Sequence, residues 1–318
     1  MNKRNLCVVN NFHGLLIYLI CNDPKVKKTD FVMSNYLSRV VRLPSNSLFP
    51  LPVYKFSSLK GMCYYFYYYY IYQWLVRIRF LNHKHFGQDC TYFSSILNKE
   101  AIIIEDGDRT YIGELFPRSK LKNIIFPFTR FKKMHGLDKH VKHIVLSKNV
   151  NLNSPLYDKR IHFSFENEWN KLDDDEKKSI TSVFGLDTIY MKNLADQVSG
   201  RNVVLTQPIS EDGFVTEDEK VDLYKKLVEH YGIENPIIKP HPREKTDYAS
   251  FGFDVITNVF PSQFFLFYSI KFKSALTLFS SSIHEIPSEK VILAGTSFHH
   301  ALTESFGIID EKVIFHEK

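Results

Sequence analysis

The segment Lys239-Pro240-His241-Pro242-Arg243 holds an imidazole between two cations on a backbone stiffened by two prolines. Proline fixes its own backbone angle and restricts the residue before it, so His241 sits on a rigid segment. An imidazole held this way can protonate or hydrogen-bond a departing phosphate, while Lys239 and Arg243 offset negative charge. The run Ser280-Ser281-Ser282 offers hydroxyls and, at a turn, free backbone N–H groups, which together suit a phosphate; the plainer alternative is a serine N-cap. Two Glu-Asp-Gly tripeptides, Glu105-Asp106-Gly107 and Glu211-Asp212-Gly213, supply carboxylates able to take a proton from a sugar hydroxyl, although Asp-Gly by itself is a favoured turn dipeptide. The loop Asn10-Asn11-Phe12-His13 adds further polar groups.

All five segments follow apolar runs that read as buried strands: residues 6–9, 101–104, 203–205, 237–238 and 275–279, with one more run at 291–293. Helical patterns over residues 14–21, 172–184 and 217–231 are interspersed with them. Such alternation predicts parallel sheets built from right-handed crossovers, and ligands of open parallel sheets bind beyond the carboxyl ends of the strands. A loop at Val198-Ser199-Gly200 marks the boundary, giving domains 1–195 and 196–318. The acidic run Asp173-Asp174-Asp175 reads as a helix start rather than a metal motif. Neither His284-Glu285 nor His299-His300 has the further ligands of a zinc site, so no metal is expected.

At 318 residues the chain exceeds one ordinary core, and 44% hydrophobic content with 27 phenylalanines and 18 tyrosines predicts a globular protein. The four cysteines show no paired spacing and read as reduced thiols. The first residues lack the pattern of a signal peptide, and no run is apolar enough to span a membrane, so a cytoplasmic protein is expected. Residues 62–81 combine tyrosines with Arg77 and Arg79; their rings are expected to pack on the core or a second subunit, with a headgroup contact left open. The net charge of +6, with clusters at Arg118, Lys120, Lys122 and at Arg130, Lys132, Lys133, favours anionic partners, but no nucleic-acid module is present.

Taken in order, Glu-Asp-Gly after a strand, Leu205-Thr206-Gln207-Pro208 leading to the second Glu-Asp-Gly, Lys-Pro-His-Pro-Arg and then Phe-Ser-Ser, the chain resembles glycosyltransferase family 52, whose members include bacterial lipooligosaccharide sialyltransferases. The resemblance implies an α/β protein of GT-B type, with two Rossmann-like parallel-sheet domains facing a central cleft. It implies an acceptor-side N-terminal domain, a C-terminal domain holding CMP-sialic acid, and inverting, metal-independent transfer without a cofactor to a galactose of lipooligosaccharide or capsule. His241 would then stabilise or protonate the departing phosphate, and Ser280 and Ser281 would bind it, with Ser282, Lys239, Pro242 and Arg243 on the donor side. The base matches Asp106 in more distant relatives and Asp212 in the family-52 pattern; Asp212 is favoured, leaving Asp106, Glu105, Gly107, Asn10, His13 and Glu211 to line the cleft or the acceptor site. Some members carry an N-terminal membrane anchor that this chain does not show, so attachment to the inner membrane would rest on basic and aromatic surface. Two alternatives stay open: a hexosyltransferase using a UDP-sugar, and a non-catalytic glycan-assembly protein.

Overall fold

The computed structural model describes residues 3–51, 59–91, 93–111 and 135–316. The two basic clusters between Arg118 and Lys133 lie outside the described residues. The chain divides into two compact units, Met1–Phe184 and Gly185–Lys318. The division precedes the helix Thr188–Val198, most of which the sequence reading assigns to the first domain; that helix packs with the second unit instead.

The first unit is a seven-stranded sheet in the order β3-β2-β1-β4-β5-β6-β7. Its strands are β1 (Asn5–Val8), β2 (Thr29–Ser34), β3 (Leu48–Leu51), β4 (Lys84–Gly87), β5 (Ile102–Ile104), β6 (His143–Leu146) and β7 (Arg160–His162), and every pairing is parallel. The second unit is a six-stranded sheet in the order β10-β9-β8-β11-β12-β13. Its strands are β8 (Asn202–Leu205), β9 (Pro236–Lys239), β10 (Asp254–Val255), β11 (Phe272–Thr277), β12 (Ser288–Leu293) and β13 (Lys312–Phe315), parallel except for the antiparallel edge β12–β13. Central strands of parallel sheets are covered on both faces and so are apolar throughout: Leu6, Cys7 and Val8 of β1 and Val203 and Val204 of β8 have no exposed surface.

Each sheet reverses its strand order beside its first strand, between β1 and β4 and between β8 and β11. This is the Rossmann pattern, and the reversal opens a crevice beyond the carboxyl ends of those strands. Local sequence fixes where the helices covering the sheets begin. Asn11 caps the helix Phe12–Asn22 by accepting from the Gly14 N–H. Thr216 and Glu219 form a reciprocal capping box on the helix Glu217–His230, and Asp173 and Glu176 form another on Asp174–Val183, so the acidic run is a helix start. Gly87 closes β4 where a Cβ would overlap the Val8 carbonyl oxygen, which lets the next residues come in against β1.

The tyrosine-rich segment forms a helix over Leu59–Phe66, a π-helical stretch over Tyr67–Tyr72 and a helix over Gln73–Arg79. Gln73, Val76 and the following Phe80 are buried, whereas Tyr67, Ile71, Trp74 and Ile78 are exposed. Among the described residues no helix is long and apolar enough to cross a membrane.

Candidate active site

In the first unit the candidate residues meet at the ends of β1, β4 and β5. Glu105 follows β5 and is almost fully buried, with its carboxylate surrounded by donors. His13 Nε2 lies 2.6 Å from one oxygen, which also accepts from the Ser147 hydroxyl at 2.5 Å; the other oxygen accepts from the Ser147 N–H at 2.9 Å and from the Tyr111 hydroxyl. Burial pushes this carboxyl up, but the bonds and charge of His13, with help from Ser147 and Tyr111, outweigh it and leave Glu105 below its ordinary value. Glu105 is thus a fixed anion.

Asp106 stands beside it, half-buried, and its Oδ1 accepts from the Asn11 side chain at 2.5 Å and from Gln88 Nε2 at 2.9 Å. Gln88, from the end of β4, also accepts the Asn10 N–H at 2.9 Å. Asn10 itself is exposed, and Gly107 opens the 3₁₀ turn Gly107–Thr110 with φ +73° and open space around its α-carbon. The structure therefore brings Asn10, His13, Glu105, Asp106 and Gly107 together. It adds Asn11, Gln88, Tyr111 and Ser147, of which only Asn11 lies in a segment that the strand-end rule selects.

The second unit assembles its own set at the ends of β9, β8 and β11, which are neighbours in the sheet. His241 follows β9 and accepts the Arg243 N–H at Nδ1 (3.1 Å), so a neutral ring carries its proton on Nε2. Burial, reinforced by Arg243, pushes this imidazole down to about 4, which makes it a neutral hydrogen-bond donor at pH 7. The Arg243 guanidinium forms a two-pronged pair with Asp212, at 2.8 and 3.0 Å. Asp212, Arg243 and His241 are therefore one contact chain.

Behind this chain lies a buried ionic network. Lys220 has no exposed surface and its Nζ lies 2.9 Å from Glu211, 3.6 Å from Glu217 and 3.9 Å from Glu244. Burial raises Glu211, but the bond from Lys220 and the Lys245 N–H outweigh it and leave its carboxyl lowered. Glu244, by contrast, is raised by burial, while accepting from the Thr206 and Tyr248 hydroxyls at 2.8 Å each and from the His241 N–H at 3.2 Å. One lysine thus ties the Glu211–Gly213 turn to the His241 loop.

Lys239 does not stand beside His241 in solvent. It is buried, its Nζ donates to the Phe260 carbonyl at 3.0 Å and sits 3.9 Å from the Phe260 ring centre, and burial lowers it to about 7. Ser280 is half-buried and Ser281 and Ser282 are exposed; their hydroxyls make no hydrogen bond among the described residues, and Ser280 does not cap the short turn Ser281–Glu285. Gln207 connects this loop to β8, accepting the Phe279 N–H at 3.0 Å. Two Rossmann-like units in one chain, the second following β9 with a histidine and a guanidinium and β11 with a serine run, are the architecture of the GT-B class.

The particular family follows from comparison. The sequence profile of glycosyltransferase family 52 matches residues 51–302, and the chain belongs to that family. An uncharacterized protein of Haemophilus influenzae is 35% identical over 210 residues, covering 65% of this chain and 66% of that protein, a little under two thirds of its length. Among solved structures, the alpha/beta-galactoside alpha-2,3-sialyltransferase of Photobacterium phosphoreum is similar over 92% of this chain and 91% of its own, with 12% identity and a TM-score of 0.59. A 2,6-sialyltransferase from a Photobacterium species, solved with donor product CMP and acceptor substrate lactose, is similar over 89% of this chain and 69% of its own, with 10% identity and a TM-score of 0.56. At these identities the likeness shows the fold alone.

Proposed function

We propose that the protein is an inverting sialyltransferase that moves sialic acid from CMP-sialic acid to a terminal galactose of a bacterial surface glycan, lipooligosaccharide or capsule. The observation that carries this reading is the Asp212–Arg243–His241 contact chain at the end of β9, with the hydroxyls of Ser280, Ser281 and Ser282 following β11, in a chain of family 52. The CMP and lactose named with the Photobacterium 2,6-sialyltransferase support the choice of donor and acceptor class.

In this reading the galactose oxygen bonds to the anomeric carbon as that carbon's bond to the phosphate oxygen breaks, and the electron pair departs with CMP. His241 Nε2–H and the hydroxyls of Ser280, Ser281 and Ser282 meet the developing phosphate charge. Arg243 turns towards the phosphate, and Asp212, released from its ion pair, takes the hydroxyl proton. Pro242 keeps the loop rigid, and Lys239 supports β9 from within. These cationic and hydroxyl groups supply the charge stabilisation, so the transfer step needs no metal or cofactor. His13 and Asp106 serve acceptor binding, and the buried Glu105 holds His13 in place. The exposed Tyr67, Ile71, Trp74 and Ile78 beside Arg77 and Arg79 suit a peripheral contact at the cytoplasmic side of the inner membrane.

The test is to incubate purified protein with CMP-sialic acid and lactose, with and without a chelator. Sialyl-lactose above the background of donor hydrolysis is expected in both. Turnover of a UDP-sugar with none of CMP-sialic acid would replace this reading with a hexosyltransferase.

A further inference from the structure

Asp89 and Cys90 follow β4, and His135 precedes β6. No contiguous motif joins them, yet one ligand atom from each lies within 4.8 Å of the other two. Asp89 and His135 are each more than nine-tenths buried, and Cys90 is half-buried. The cluster is built from the backbone up: the Asp89 carboxylate accepts the N–H groups of His135 and Gly136 at 2.8 Å each, one per oxygen. From the other side Lys159 Nζ donates to the carbonyls of Gly136 and Asp138. This double clasp holds His135 at φ +58°, in the left-handed region that costs a histidine about 1 kcal/mol.

What the clasp does not account for is the ring. Among the described residues Nδ1 of His135 is buried without a hydrogen-bond partner, an arrangement that ordinarily costs free energy. The neighbours are electron-rich. No lysine or arginine is ion-paired with Asp89 or Asp106 among the described residues.

We propose that Asp89, Cys90 and His135 bind a transition-metal dication of the zinc class. Imidazole, thiolate and carboxylate together are a zinc donor set, whereas calcium and magnesium favour oxygen alone. A tetrahedral ion with bonds of roughly 2.0–2.3 Å separates its ligand atoms by about 3.3–3.8 Å, so side-chain movements on the order of 1 Å close the site. Each Asp89 oxygen keeps a second lone pair beyond its backbone bond, and those N–H groups become the outer support that orients a metal-bound carboxylate. On binding, the thiol proton leaves to solvent and the metal takes its place. The ion would fasten the His135 loop to the end of β4. It takes no part in the transfer step, so this inference stands apart from the proposed reaction.

The experiment titrates tag-free, chelator-stripped full-length protein with Co²⁺ alone and follows near-ultraviolet thiolate-to-cobalt absorption, then adds Zn²⁺. A saturable band at one equivalent, lost on adding zinc, is expected, with a higher melting temperature in zinc. Cys90→Ser should remove the band, and His135→Gln should weaken binding at least roughly tenfold. Metal-free melting curves of both variants check that they fold. The absence of a band in wild-type protein overturns the assignment, as does a band that survives Cys90→Ser but is lost when the exposed Cys21 and Cys63 are replaced, which would mean an adventitious ion only.

Discussion

His241 and Lys239 are two residues apart, and burial lowers both, yet they face opposite fates. His241 keeps Nε2 available because its own loop satisfies Nδ1 through the Arg243 N–H, so the ring is oriented and neutral before any donor arrives. A bound phosphate is the one partner in the proposed reaction able to draw a proton back onto it. His241→Ala is therefore expected to lower kcat at least tenfold, since positioned acids contribute roughly a hundredfold or more; unchanged kcat would remove His241 from the chemistry. Lys239 is spent on the core. Its folded pKa of about 7 lies below the ordinary lysine value near 10.4, so from about pH 10 down to about pH 7 the unfolded chain binds a proton that the folded chain refuses. Wild-type stability should fall over that window, and the melting temperature of Lys239→Met relative to wild type should rise as pH is lowered from 10 to 7. A difference independent of pH would show that Lys239 is charged in the fold.

At the scale of elements, two loops depend on one side chain of the helix Glu217–His230. Removing Lys220 strands Glu244 in the interior without its nearest cation, and breaking such buried pairs costs about 3–5 kcal/mol; because Glu211 and Glu217 still reach water, about 3 kcal/mol is expected for Lys220→Met by urea unfolding. The Asp212 and His241 loops should loosen together, so kcat should fall with little change in donor KM, and a loss confined to stability would limit Lys220 to the core. Lys220 was nearly legible in the sequence, because it occupies the same helical face as Tyr224 and Leu227, where a lysine is out of place. Strand ends were legible for a related reason: apolar runs such as residues 203–205 stop abruptly at polar loops, and the parallel-sheet rule then selects Gln207, His241 and Ser280. Gln88 was not, because β4 reads Lys-His-Phe-Gly and lacks an apolar run, and its buried His85 is satisfied by the Phe80 carbonyl. Side-chain direction also lay beyond sequence, since nothing in Lys-Pro-His-Pro-Arg says that the first cation turns inward and the last outward.

For the whole molecule, the two units differ in what they could accomplish alone. Residues 185–318 carry an independent core around Val204, Tyr224, Leu227, Ile238, Leu276 and Ile292, within the usual size of a folding domain. Every group proposed to meet the donor phosphate, His241, Arg243 and the three serines, belongs to that unit, as does the Lys220 network that supports them. The carboxylates Glu105 and Asp106 belong to the other. If this partition reflects the chemistry, a fragment spanning residues 185–318 should fold cooperatively and bind CMP within about tenfold of the full-length affinity, while transferring nothing. Calorimetric titration of CMP into both proteins checks this, with circular dichroism melting to establish that the fragment is folded. A folded fragment blind to CMP, beside a full-length protein that binds it, would mean that the first unit supplies the main nucleotide contacts, and the donor role assigned to the end of β9 would have to move to the β1–β4 crevice.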